Sequence, residues 1–126
     1  MTKVLLIDDS IDLLEVLKYF LQEKGYEVEI GSSQSDLKSL LKGFIPDVLI
    51  MDIYLHGEDG RDICKELRKE SETKNLCILM FSASSKALVN YKEYGADGFI
   101  EKPFGLVEIV HKIEATLERC RNYQHD

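Results

Sequence analysis

No stretch of this chain is long and apolar enough to cross a bilayer as a helix; its apolar runs last four to six residues before a charge or turn residue interrupts them. A membrane-spanning reading is excluded. Basic residues are in deficit: 16 Lys and Arg against 23 Asp and Glu leave a formal net charge of −7. That charge repels nucleic acid and anionic membranes, with no local basic stripe to offset it. The chain alone is not expected to bind nucleic acid. Cysteine is scarce: Cys64, Cys77 and Cys120 form no C-x-x-C pair and leave one unmatched. They read as ordinary side chains of a reducing compartment, Cys64 and Cys77 in the core and Cys120 exposed, with no disulfide framework. No leader is expected either, since Met1-Thr2-Lys3 passes directly into a strand. The expectation is a cytoplasmic protein with no upstream domain.

What is present begins with Val48-Leu49-Ile50-Met51-Asp52, a buried-strand pattern that runs straight into a carboxylate. Two other stretches end alike: Val4-Leu5-Leu6-Ile7 runs into Asp8-Asp9, and Cys77-Ile78-Leu79-Met80-Phe81 into Ser82. A fourth, Gly98-Phe99-Ile100, leads through Glu101 to Lys102-Pro103. If these strands are parallel, Asp8, Asp9, Asp52, Ser82 and Lys102 converge on one sheet edge, where open α/β folds carry their chemistry. Like charges about 4 Å apart repel by roughly 4 kcal/mol at an effective dielectric near 20. Three carboxylates there call for cations: Lys102, and a hard divalent ion with oxygen ligands, Mg²⁺ above all.

Helical patterns alternate with the strands. Leu13, Leu14, Leu17, Phe20 and Leu21 recur at spacings of three and four, with Gly25 as the C′ residue. Glu27 to Ile30 reads as a short strand, and Ser33 with Asp36 three residues later starts a helix through Leu37, Leu40 and Leu41. After Asp52 come a loop from Ile53 to Asp59 and a helix carrying Ile63, Cys64 and Leu67. A short helix from about Lys86 to Tyr94 follows the fourth strand, and the last helix carries Leu106, Val110, Ile113 and Leu117. Strict alternation of strand and helix, five times over, implies a doubly wound parallel sheet of flavodoxin-like (βα)5 type with strand order 2-1-3-4-5. In that order the first and third strands are neighbours at the switch point, so Asp8, Asp9 and Asp52 become adjacent.

Taken singly, each residue has a plainer reading. An acid after a strand is commonly a helix N-cap, a lysine in a loop is commonly solvated, and a strand phenylalanine such as Phe99 is commonly half-buried packing. Their value lies in the constellation. His56, four residues after Asp52, is assigned no role, and Tyr91 and Tyr94 are left open between packing and contact surface.

With the acidic pair Asp8-Asp9, Asp52 and Gly60 eight residues later, Ser82-Ala83, Gly95-Ala96-Asp97 and Lys102-Pro103-Phe104 all in order, the chain resembles the receiver domains of two-component response regulators. The resemblance runs from Lys3 to about Leu117. It implies a receiver domain over residues 1–121 and a short polar tail over 122–126. Asp52 would accept a phosphoryl group from a histidine kinase or histidine phosphotransfer protein, with Mg²⁺ as cofactor. Asp9 would hold the metal directly, Asp8 through water, and Asp52 and the Tyr54 carbonyl would complete the protein ligands. Lys102 and Ser82 would contact the phosphoryl oxygens, and Ser82 and Phe99 would form the switch toward a face made by the fourth helix, fifth strand and fifth helix. Partners implied are the kinase or phosphotransfer protein, a downstream output domain or protein, and a second copy in a phosphorylation-dependent dimer. Beyond self-phosphorylation from small donors and slow self-dephosphorylation, no enzyme activity is expected.

Two features depart from the family pattern: His56-Gly57 stands where a proline is frequent, and Gly98 and Lys112 stand where the subgroup that dimerises through its fourth and fifth helices has an acid and an arginine. The rival reading is an aspartyl-nucleophile phosphohydrolase of the haloacid dehalogenase type. It needs a second acid two residues after the nucleophile to protonate the leaving group, where this chain has Tyr54. A flavodoxin-like FMN carrier would need a Ser, Thr and Gly-rich loop where Asp8-Asp9 stand.

Overall fold

The computed structural model describes residues 1–122; the last four residues of the expected polar tail lie outside the described part. The elements are β1 (Lys3–Ile7), α1 (Ile11–Glu23), β2 (Glu27–Gly31), α2 (Gln34–Leu41), β3 (Val48–Asp52), β4 (Tyr54–Leu55), β5 (Glu58–Asp59) and α3 (Gly60–Lys69). They continue with β6 (Cys77–Ser82), α4 (Ser85–Leu88), a 3-10 turn over Tyr91–Tyr94, β7 (Gly98–Glu101) and α5 (Leu106–Arg121). Five strands form one parallel sheet in the order β2-β1-β3-β6-β7. This is the expected 2-1-3-4-5 order once the small β4-β5 hairpin is counted in the chain numbering.

Strand alternation divides the core into two layers. Leu5, Ile7, Leu49, Met51, Ile78 and Met80 face Leu37 of α2, Ile63, Cys64 and Leu67 of α3, and Leu88 of α4. Their neighbours Val4, Leu6, Val48, Ile50, Leu79 and Phe81 face Leu14 and Leu17 of α1 and Ile109 and Ile113 of α5. A sheet buried on both faces explains why its strands read as continuous apolar runs. The helix ends follow local rules. Ser10 caps α1 by accepting from the Leu13 amide, and Ser33 caps α2 by accepting from the Asp36 amide, as its spacing suggested. Gly25 ends α1 at φ 95°, with its amide on the Gln22 carbonyl and the Tyr26 amide on the Leu21 carbonyl, a Schellman closure.

Three expectations are corrected. The helix expected over 86–94 is broken into α4 and the 3-10 turn. The Tyr94 hydroxyl donates to the Ala87 carbonyl at 3.2 Å, the group that the Tyr91 amide would use in a continuous helix. The stretch 53–59 is not a plain loop: Tyr54 pairs with Asp59 and Leu55 with Glu58, turning at Gly57 with φ 69°. Here a hydrogen-bonded hairpin supplies order where a proline is frequent. The cysteines are not three ordinary thiols, because Cys77 and Cys120 are joined in a disulfide and Cys64 alone is free. The pair was hidden because the two residues are 43 positions apart and meet only when the last turn of α5 lies over the start of β6. Cys120 is half-buried rather than exposed.

Candidate functional site

Parallel pairing builds the site. The register that sets Ile7 beside Met51 carries Asp8, one step beyond, to the side of Asp52. Asp8 is fully buried and Asp52 is 7% exposed, so neither acid is a solvated surface group. One Asp8 oxygen accepts from the Ser10 amide at 2.8 Å, and the other from Lys102 Nζ at 2.8 Å. Asp52 accepts from the Tyr54 amide at 3.2 Å and from the same Nζ at 3.1 Å. Lys102 follows β7 directly, and its amide donates to the Ser82 carbonyl at 2.8 Å, which fixes the base of its side chain. Its ammonium lies 4.6 Å from the centre of the Phe81 ring, an added cation–π attraction.

The charges oppose one another. Burial pushes the Asp52 carboxyl above its ordinary range, the Lys102 charge pulls it back, and the Asp8 charge raises it again. Burial works against the Lys102 ammonium, yet the hydrogen bond to Asp8 and the charge of Asp52 outweigh it and hold the lysine's pKa up. Asp9 is more open, with its side chain 32% exposed and the His56 Nδ1 atom 3.3 Å from its Oδ2. Carboxylate oxygens of Asp8, Asp9 and Asp52 lie within 4.8 Å of one another. One lysine does not balance three acids, and an all-oxygen donor set of this charge fits a hard divalent cation such as Mg²⁺.

Ser82 is fully buried at the end of β6, and its hydroxyl oxygen accepts from the Ser84 amide at 3.1 Å. Its own proton remains available to donate. Phe99 pairs with Met80, and Ser82 with Glu101, two places along the same strands, so Phe99 and Ser82 share a sheet face. Phe99 is half-buried there, its ring 5.1 Å from that of Tyr91 and 5.0 Å from Lys112 Nζ. Tyr91 and Tyr94 are thereby resolved: Tyr94 is core, and Tyr91 packs against Phe99 with its ring tilted by 49°. The Tyr54 side chain is 52% exposed at the pocket's rim, with the Arg61 guanidinium 5.8 Å from its ring.

Two neighbours of the acid cluster owe their placement to the fold. His56 was given no role, and it is a solvent-facing loop residue, its side chain 97% exposed, although the hairpin brings its Nδ1 atom within 3.3 Å of Asp9. Gly60 matched by spacing alone, and its physical reason is contact: a Cβ there would stand 2.3 Å from the Asp52 backbone oxygen. Only glycine lets the first turn of α3 abut the carboxyl end of β3.

Fold and site together define a flavodoxin-like α/β domain with an acid-and-lysine pocket at its topological switch point. A model of the response regulator receiver domain matches residues 4–114, and the chain belongs to that family, the receiver domains of two-component response regulators. Among solved structures it is similar to the chemotaxis response regulator CheY4 of Vibrio cholerae, at 29% identity and TM-score 0.84 over 92% of this chain and 98% of that one. It is also similar to a response regulator from Chloroflexus aurantiacus, at 35% identity and TM-score 0.84 over 94% and 98%. NtrX from Brucella abortus, solved in complex with ATP, aligns at 25% identity and TM-score 0.86 over 94% of this chain and 27% of its own. The family match falls to receiver domains rather than to the phosphohydrolase alternative. Among the described residues no helix is long and apolar enough to cross a membrane.

Proposed function

We propose that this receiver domain accepts a phosphoryl group on Asp52 from a phosphohistidine of a histidine kinase or phosphotransfer protein. The observation that carries this reading is Lys102 Nζ, held between Asp8 at 2.8 Å and Asp52 at 3.1 Å at the carboxyl edge of the sheet. The Asp52 carboxylate oxygen attacks phosphorus, the phosphorus–nitrogen bond breaks, and the departing imidazole keeps the electron pair and takes up a proton. Lys102 is placed to move from the carboxylate to a phosphoryl oxygen, and the Ser82 hydroxyl can donate to another. Bound Mg²⁺, held by Asp8, Asp9, Asp52 and the Tyr54 carbonyl, would supply the remaining positive charge against the transferring group. Residues 1–121 form the phosphoacceptor unit and 122–126 its polar tail. Output then passes by docking to a further domain or protein partner, with turnover limited to slow self-dephosphorylation. The Gly98 position is filled by α5: a Cβ there would stand 2.8 Å from both Thr116 and Arg119. Without the acid usual there, a dimer through the fourth and fifth helices lacks one of its charged groups, which argues against that dimer mode.

The test is incubation with acetyl phosphate and Mg²⁺ followed by phosphate-affinity electrophoresis. A shifted band is expected for the wild-type chain, lost with EDTA and lost in Asp52→Asn. An equally strong band in Asp52→Asn would overturn the assignment.

A further inference from the structure

Cys77 opens β6 at the edge of the sheet opposite the acid pocket, and Cys120 lies in the last turn of α5. Their Cα atoms are 5.9 Å apart and their sulfurs are joined across 43 residues. The two sulfurs are unequally protected, for Cys77 is 4% exposed while Cys120 is half-buried near the helix end. Few other links hold that turn: Leu117 packs in the core, Arg119 donates to the Asp97 carbonyl at 2.8 Å, and Cys77 Sγ lies 3.7 Å from the Thr116 carbonyl. The Asp97 carboxylate comes within 4.8 Å of both sulfurs. It already accepts from Arg68 and from the Ile78 amide, each at 2.9 Å, and is thus committed to protein donors rather than to a metal shared with the sulfurs.

We propose that Cys77 and Cys120 are a reversible thiol–disulfide pair whose oxidation state sets how firmly the last turn of α5 is clipped to the sheet. The co-reactant is a small-molecule or protein disulfide on oxidation and a thiol on reduction. On oxidation the Cys120 thiolate attacks one sulfur of the external disulfide, forming a mixed disulfide and expelling one thiol. The Cys77 thiolate then attacks Cys120 Sγ, and the second external thiol leaves. Two protein thiols lose two electrons and two protons, and the external disulfide becomes two thiols. Reduction reverses the order, entering at the more open Cys120. Cys64 stands outside this exchange because it is fully buried, and burial pushes its thiol up to about 12.

The experiment uses the full chain, equilibrated with oxidised glutathione or with dithiothreitol. Alkylation after unfolding, read by mass spectrometry, should tag one cysteine in the oxidised protein and three in the reduced one. Reduction should speed amide exchange in residues 114–121 on the order of tenfold or more and lower Tm by roughly 5–15 °C. Cys120→Ser, altered at the more open site, should behave as the reduced protein in both buffers. Three tagged cysteines after oxidation would overturn the proposal. So would a dimer linked through Cys120, a bond that dithiothreitol leaves intact in the folded protein, or unchanged α5 exchange between the two states.

Discussion

Asp52 is a buried acid whose ionised form works against stability. Its carboxyl is pushed up by burial and by Asp8, with Lys102 opposing. A group whose folded pKa is raised contributes stability below its unfolded value, near 3.8, and loses it as pH rises through the folded value. At neutral pH the ionised Asp52 therefore weighs against the fold. Asp52→Asn should raise Tm in EDTA at pH 7, by a gain of about 0.5–2 kcal/mol typical of relieving functional-site strain. The gain should shrink as pH falls from 7 toward 3.5, through the raised value of the wild-type carboxyl. Lys102 keeps Asp8 as its partner in the variant. Thermal melts across that pH range check this, and a destabilised Asp52→Asn at pH 7 would contradict the electrostatic account.

Among the elements, α3 is tied to the far edge of the sheet by a single guanidinium. Arg68 donates to the Gly95 carbonyl at 2.8 Å, to those of Lys74 and Leu76 at 3.0 and 2.6 Å, and to Asp97 at 2.9 Å. Both side chains are shielded, at 13% and 8% exposure, so this is no screened surface pair. Removing one partner of a buried pair costs about 3–5 kcal/mol because the other charge stays behind. Arg68→Ala should lose about 3 kcal/mol in a urea melt. Arg68→Lys should recover little, since one ammonium cannot satisfy three carbonyls and a carboxylate in that planar arrangement. A loss under about 1 kcal/mol would show that the network is dispensable. The pattern Gly95-Ala96-Asp97 marked this region in the sequence, but Arg68 looked like any charged helix residue, because its partners come from other segments.

Across the whole molecule, packed side chains run from the Asp52 pocket toward the surface. Ser82 and Phe99 share a face on neighbouring strands, and Phe99 is covered by Tyr91 and approached by Lys112 of α5. If phosphorylation draws the Ser82 hydroxyl toward the phosphoryl group, space opens behind it for Phe99, and the cover formed by Tyr91 and α5 must repack. A swing from 1:99 to 99:1 needs about 5.5 kcal/mol of differential stabilisation. Charge-assisted contacts to Ser82 and Lys102 supply part of that, so an incomplete shift is expected before a partner binds. NMR with beryllofluoride as phosphoryl mimic should move resonances across residues 86–112 as well as in the pocket. Changes confined to the pocket would remove this output face.

The alternation of strand and helix, the two-sided burial of the sheet and the convergence of Asp8, Asp9, Asp52, Ser82 and Lys102 were determined by the sequence itself. Each rests on a short-range period or on a topology rule that allows few alternatives. Tertiary structure alone decided the hairpin contact of His56 with Asp9, the break after α4, the Arg68 network and the Cys77–Cys120 bond. In each, a side chain meets a group whose position depends on strand register and helix docking. A Tyr94 hydroxyl on the Ala87 carbonyl, or a sulfur reaching 43 residues back, leaves no trace in local periodicity, because contact across elements is selected by three-dimensional packing and not by spacing along the chain.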